Sequence, residues 1–297
     1  MAKSPQLDHV ISLIKTRAAT PRKTIEEDRL SYETMLSSMP LEDDIQTERV
    51  GAGGVPAEWI WAPGAQADRV LLYFHGGGYV VGSMRTHRVM LSRIARAAGI
   101  KVLGLDYRLA PENPFPAPVE DALTAYRWLL RNGYSPRNIA LGGDSAGGGL
   151  VAAALVAIRY TGEPLPAAGV CLSPWIDMEA SGASFTTNAK VDPSVSKERI
   201  VNIAKAYLAG KNPRAPLASP MYADLHGLPP LLVQVGSIET LLDDAKTLTE
   251  RAQAAGVEVA LEVWEDMPHV WQLYAPILPE AQQAVAGIGD FLRKHVG

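Results

Sequence analysis

Continuous hydrophobic stretches recur along the chain at 70–74, 102–105, 139–141, 170–172, 231–235 and 259–263, and most are followed by a segment with helical spacing. Runs that are continuous rather than alternating mark strands covered on both faces, so the pattern predicts an α/β fold with a mostly parallel central sheet flanked by helices. Two earlier segments, Ile45 to Val50 and Val55 to Trp61, are joined by Gly51-Ala52-Gly53-Gly54 and read as an antiparallel hairpin at the sheet's edge. No helix follows that glycine cluster, so it is not a dinucleotide-binding fingerprint.

Two helical blocks stand outside this alternation. Leu7, Val10, Ile11 and Ile14 recur at helical spacing, and after the breaker Pro21 a looser pattern continues through Ile25, Tyr32, Met35 and Leu36. The second block, Ile200, Ile203, Ala204, Tyr207 and Leu208, follows polar loop material from Glu179 to Lys197. Both are read as a cover over the mouth of the crevice at the strand ends, the alternative being padding on the outer face of the sheet.

Composition narrows the partners. Charged residues make up 20% of the 297 and the net charge is −4, with neither sign gathered in a long block, so no nucleic-acid partner and no anionic membrane is expected. The single cysteine, Cys171, lies in the apolar run Gly169-Val170-Cys171-Leu172 and reads as a buried small hydrophobe; no intrachain disulfide is possible. Asp8, His9, Lys15 and Arg17 interrupt the start of the chain, and no apolar window is long enough to span a bilayer. A cytoplasmic protein without stable membrane insertion is the expectation.

The chemistry is announced by Gly143-Asp144-Ser145-Ala146-Gly147, which lies between the run Ile139-Ala140-Leu141 and an Ala-rich helical segment. A serine at a sharp strand-to-helix turn is a nucleophile elbow, and the flanking glycines make room for the bend. Upstream, the run ending at Phe74 leads into His75-Gly76-Gly77-Gly78, a loop whose amides are hardly shielded by side chains. Gly76, Gly77 and Ala146 are the expected donors to an oxyanion. A serine hydroxyl needs an imidazole to take its proton and an acid to orient that imidazole, in the chain order serine, acid, histidine. Of the six histidines, His269, in Met267-Pro268-His269-Val270-Trp271 after the last strand, has the right place. The segment after Val235 offers Glu239, Asp243 and Asp244; Glu239 is closest to the strand end and is favoured over Asp243, which should already belong to a helix. Asp243 and Asp244 otherwise suit a helix N-terminus.

Four stretches carry a resemblance in addition to the elbow: His75-Gly76-Gly77-Gly78, Asp106-Tyr107-Arg108-Leu109-Ala110-Pro111-Glu112, Phe115-Pro116-Ala117-Pro118 and Gly227-Leu228-Pro229-Pro230. With Gly142 to Gly148, they make the chain resemble the bacterial hormone-sensitive-lipase-like esterases, the family IV carboxylesterases of the α/β-hydrolase superfamily. The family's acid is usually the Asp of a D-P-L-x-D pattern; here the stretch reads Glu239-Thr240-Leu241-Leu242-Asp243, which supports position 239 with a side chain one methylene longer. Val270-Trp271 also stands where Gly-Phe is common.

The resemblance implies residues 1–44 as N-terminal cap helices, 45–178 and 213–297 as the two parts of one catalytic core, and 179–212 as an inserted cap segment. It implies a serine carboxylesterase acting on short- to medium-chain esters of small molecules, with no metal or organic cofactor, and a homodimer joined through the last strand and its neighbouring helix. A lactone hydrolase would use the same residues. A non-catalytic ligand-binding relative is the other alternative, against which Ser145 and His269 both stand.

Tyr79 and Tyr207 are candidates for the acyl or alcohol pocket, with plain packing as the alternative. Asp106, Arg108 and Glu112 read as ties for a proline-rich loop, and Asp144 as a loop-fixing hydrogen-bond acceptor. A histidine base predicts activity that falls as the pH drops through about 6 to 7.

Overall fold

The alternation is carried by eight strands among the residues described by the computed structural model, 4–20 and 24–297. Helices α1 (Pro5–Ala19) and α2 (Ile25–Leu36) come first; Pro21, the expected breaker between them, lies outside the described residues. Then follow β1 (Gln46–Ala52), β2 (Val55–Trp61), β3 (Gln66–Phe74), α3 (Met84–Ala98), β4 (Ile100–Leu105), α4 (Ala117–Arg131), β5 (Ile139–Asp144), α5 (Ala146–Tyr160) and β6 (Ala168–Leu172). The second half holds α6 (Ser184–Thr187), α7 (Lys197–Leu208), β7 (Leu231–Gly236), α8 (Leu242–Ala254), β8 (Val259–Trp264) and α9 (Pro279–His295). The strands form one sheet in the order β1-β2-β4-β3-β5-β6-β7-β8. Pairing is antiparallel from β1 to β2 and from β2 to β4, and parallel from β4 through β8.

The hydrophobic runs are continuous because both faces are covered. Along β3, Val70, Leu72 and Phe74 point into a core shared with α4, α5 and α8, while Leu71 and Tyr73 point into a second core shared with α3 and α9. Helix α5 is buried on every side from Ala146 to Ile158, which its alanines and glycines permit by letting the sheet and α4 approach closely. Helix α3 starts on a reciprocal capping box between Ser83 and Thr86 and stops at Gly99, whose φ of 69° is the left-handed conformation glycine adopts freely.

Two expectations are corrected. The turn between β1 and β2 is Gly53-Gly54 alone, with φ of 69° and 97°, because two glycines suffice for a hairpin turn; Gly51 and Ala52 pair as strand residues with Pro56 and Val55. Strand β8 is an edge strand with no neighbour beyond it among the described residues, and it is only half-buried, with Val263 45% exposed. Among the described residues no helix is long and apolar enough to cross a membrane.

Candidate active site

Three loops meet at the carboxyl ends of β5, β7 and β8, where an open α/β sheet leaves its crevice. Ser145 follows β5 directly and holds φ 55° and ψ −119°, a strained backbone for a residue with a side chain. The bend is enforced by close packing: a Cβ on Gly143 would run into the Gly147 carbonyl, and one on Gly147 into the Phe74 carbonyl. The Ser145 amide donates to Leu172 O at 2.8 Å, which pins the turn to the end of β6.

His269 lies between β8 and α9, with its side chain 12% exposed, and its Nε2 is 2.9 Å from Ser145 Oγ. Its Nδ1 is 2.7 Å from Glu239 Oε2. A carboxylate only accepts, so Nδ1 carries the proton and Nε2 is left to accept from the serine hydroxyl. Burial pulls the His269 pKa down, but the charge and hydrogen bond of Glu239, helped by Asp192 and Asp144, outweigh it and leave the pKa above its ordinary value. Glu239 is fully buried, and its Oε1 accepts from the Gly236 amide at 2.6 Å and from Ser173 Oγ at 2.7 Å. The longer acid therefore fits without displacing the imidazole.

The rival acids lie elsewhere. Asp243 Oδ2 accepts from the Ser184 amide at 2.8 Å, and Asp244 Oδ2 accepts from the amides of Ile176 and Asp177 at 2.9 and 3.1 Å. Both stand in the first turn of α8, as the sequence suggested, and from there bind the segment after β6. Burial, with Asp177 and Asp243 nearby, pushes the Asp244 carboxyl up to about 8 although the two amides oppose it.

The glycine loop corrects one expected donor. The Gly76 amide points away from Ser145 and donates to Asp144 Oδ1 at 3.0 Å, an oxygen that also accepts from Tyr73 Oη at 2.9 Å. His87 Nε2 lies 3.2 Å from Asp144 Oδ2. Asp144 thus fixes the loop, as read from the sequence, and in doing so occupies Gly76. Gly77 and Gly78, at φ 116° and 65°, turn the chain so that both line the cavity beside Ser145, and their amides have no acceptor among the described residues. Gly78 was missed because the motif's spacing does not tell which amide turns outward.

Tyr79 and Tyr207 are also corrected. They stack face to face at 3.8 Å, are 1% and 0% exposed, and do not line the cavity; with Phe115 and Tyr107 they form an aromatic column that ends on the His75 ring. The cavity, about 140 Å³, is walled instead by Ile14 and Arg17 of α1, Tyr32 and Met35 of α2, Ile200 and Ile203 of α7, and Trp175. Arg17 and Arg199 share the Asp28 carboxylate at 2.7 and 2.8 Å, joining α1, α2 and α7 over the opening. Tyr32 and Met35 belonged to the helical pattern read from the sequence, but periodicity gives no direction relative to a distant serine.

The remaining charges are structural. Glu112 pairs with Arg29 of α2 at 2.8 Å, whose guanidinium holds its carboxyl down to about 2; Arg108 binds Asp121; and Asp106 Oδ1 accepts from the Met84 amide at 2.6 Å at the start of α3. Cys171 is fully buried, and burial pushes its thiol up to about 12.

The chain has relatives among known proteins. Residues 71–273 match the family described as the α/β hydrolase fold. The chain is 46% identical over 294 residues to an acetyl-hydrolase of Streptomyces hygroscopicus, spanning 99% of this chain and 98% of that protein. It is 36% identical over 253 residues to an esterase of Acinetobacter venetianus, spanning 85% of this chain and 83% of that one. The crystal structure of an esterase from the bacterial hormone-sensitive lipase family superposes with a TM-score of 0.99 at 76% identity, covering 100% of each chain.

Proposed function

The chain belongs to the α/β-hydrolase family, among the bacterial hormone-sensitive-lipase-like esterases, and we propose that it hydrolyses carboxylic esters through an acyl-enzyme in which Ser145, His269 and Glu239 are nucleophile, base and acid. One observation carries this reading: an unbroken line of hydrogen bonds, 2.7 Å from Glu239 to His269 and 2.9 Å from His269 to Ser145, ends beside backbone amides that have no acceptor among the described residues.

Ser145 Oγ attacks the ester carbonyl while His269 Nε2 takes its proton, and the Glu239 carboxylate stabilises the imidazolium. The amides of Gly77, Gly78 and Ala146 receive the negative oxygen; each such donor is worth about 3 kcal/mol of barrier in comparable sites. His269 returns the proton to the departing alcohol, then activates the water that releases the acid. Helices α1, α2 and α7 act as the cap, a role supported by their side chains forming the cavity wall opposite Ser145.

Cavity size favours short acyl groups. An apolar cavity of about 150 Å³ holds a benzene-sized molecule, so the cavity of about 140 Å³ beside Ser145 takes a few carbons rather than a long chain. Rates on p-nitrophenyl esters of increasing acyl length, run beside Ser145→Ala, test both parts: a maximum at the short end is expected, with Ser145→Ala at background throughout. Background rates for the native enzyme would overturn the reading. The half-exposed edge strand β8 supports a homodimer joined there, which the mass in solution checks.

A further inference from the structure

Ser173 occupies the most constrained place beside the relay that the reaction sequence does not use. It follows β6, is 0% exposed, and holds a left-handed backbone at φ 46°, where a residue with a Cβ is strained. Its amide donates to Gln234 O at 2.7 Å, so the strained turn is anchored between β6 and β7. That turn aims one hydroxyl at two loops. Ser173 Oγ donates to Glu239 Oε1 at 2.7 Å and accepts from the Val270 amide at 3.2 Å, next to the base.

A glutamate in the acid's place needs such a partner. Its extra rotatable bond lets the carboxylate present either oxygen to the imidazole, and it is buried with His269 as its ion-pair partner. The Gly236 amide and the Ser173 hydroxyl both bind Oε1, which leaves Oε2 for His269.

We propose that Ser173 is a positioning residue for ester hydrolysis, its hydroxyl fixing which oxygen of Glu239 faces His269 and tying the acid to the loop that carries the base. The proposal rests on Glu239 being the acid. The hydroxyl dipole turns its positive end toward the carboxylate, so removing it makes the site more negative and favours the imidazolium. His269 also feels Asp192 and Asp144, and both are left in place by a change at Ser173.

The test uses Ser173→Ala and Ser173→Gly on p-nitrophenyl butyrate. Both variants are expected to lose about 10- to 100-fold in kcat with little change in KM, the range for one hydrogen bond to a charged group. The acid limb of the pH profile is expected to move to higher pH in both. Ser173→Gly, freed of the backbone strain, is expected to melt no lower than Ser173→Ala while losing as much activity. In a Glu239→Gln background, Ser173→Ala should cost less than about twofold, because the hydroxyl acts through the carboxylate. An unchanged kcat, a full loss that persists in the Glu239→Gln background, or activity that merely follows melting temperature would each overturn the proposal. A Glu239→Gln enzyme with native activity would instead remove the acid assignment on which it rests.

Discussion

Ser145 stands between two loops that meet it with different materials. On the His269 side the contacts are side chain to side chain, Glu239 to His269 to Ser145, with Ser173 and the Gly236 amide behind the acid. On the glycine side, Gly77 and Gly78 offer only peptide amides, and the buried side chains Asp144, Tyr73 and His87 hold the loop without touching the cavity space that Gly77 and Gly78 line, apart from Asp144 at its floor. A side-chain device can be removed by a single substitution that leaves the backbone alone. A backbone device cannot; it is disturbed only through whatever supports it, and that support belongs to the packed core. Activity and stability should therefore separate on one side and fall together on the other.

The largest expected effect is on the side-chain device. Glu239→Gln keeps the shape of the acid but removes the charge that orients and stabilises the imidazolium, and should lower kcat on the order of 10⁴-fold. Asp243→Asn should stay within about threefold, since Asp243 serves the Ser184 amide in the segment that carries α6. Comparison of kcat/KM for the two variants decides the matter, and a dead Asp243→Asn beside an active Glu239→Gln would reverse the assignment. Melting temperature should scarcely change in Glu239→Gln if the two sides differ as described.

A smaller effect is expected from the support of the glycine loop. Asp144→Ala removes the acceptor shared by Tyr73 Oη and the Gly76 amide, and with it the oxygen that faces His87 Nε2. Displacing one oxyanion donor costs about 10²- to 10³-fold in kcat, and the buried groups left without partners cost about 1–3 kcal/mol of stability. Steady-state rates and thermal melts on the same preparation check both. A variant that loses rate but keeps its melting temperature would erase the distinction between the two sides.

The same contrast governs what could be read in the sequence. Ser145, Glu239 and His269 were legible because their residue types are few and their order along the chain is dictated by the fold, and the structure brings the three within hydrogen-bonding distance. The continuous runs named β3 to β7 because burial on both faces leaves that mark, whereas β8 was named by its run although it is a half-buried edge strand. The direction of an amide leaves none: Gly76 and Gly78 are the same residue in the same loop, and only the reach of Asp144 tells which faces inward. Tyr79 and Tyr207 were placed near the site by chain position, but their rings lie flat on one another and fill a core column instead of the pocket. Ser173 sits at the carboxyl end of β6, so the rule that placed Glu239 could have found it; a single serine after a strand simply carries no motif.

The smallest effect, and the one that sets the two sides against each other most directly, is on pH dependence. Each side holds a histidine. On the glycine side, burial and the neighbouring His87 push His75 down to about 4, so it stays neutral as its Nδ1 donates to Gly76 O at 2.7 Å, and it contributes nothing to the acid limb near neutrality. On the other side the base must be neutral to accept the serine proton, and the charge of Glu239 holds His269 above the ordinary 6.5. Activity should therefore fade as the pH drops through a midpoint above 6.5, higher than an unperturbed imidazole would give. Plots of log kcat/KM against pH for a p-nitrophenyl ester read that midpoint, and in Glu239→Gln it should move to lower pH because burial then acts on His269 with less opposition. A native midpoint below 6.5, or one that stays in place when Glu239 loses its charge, would mean that the carboxylate does not govern the imidazole and that the side-chain line is a matter of packing alone.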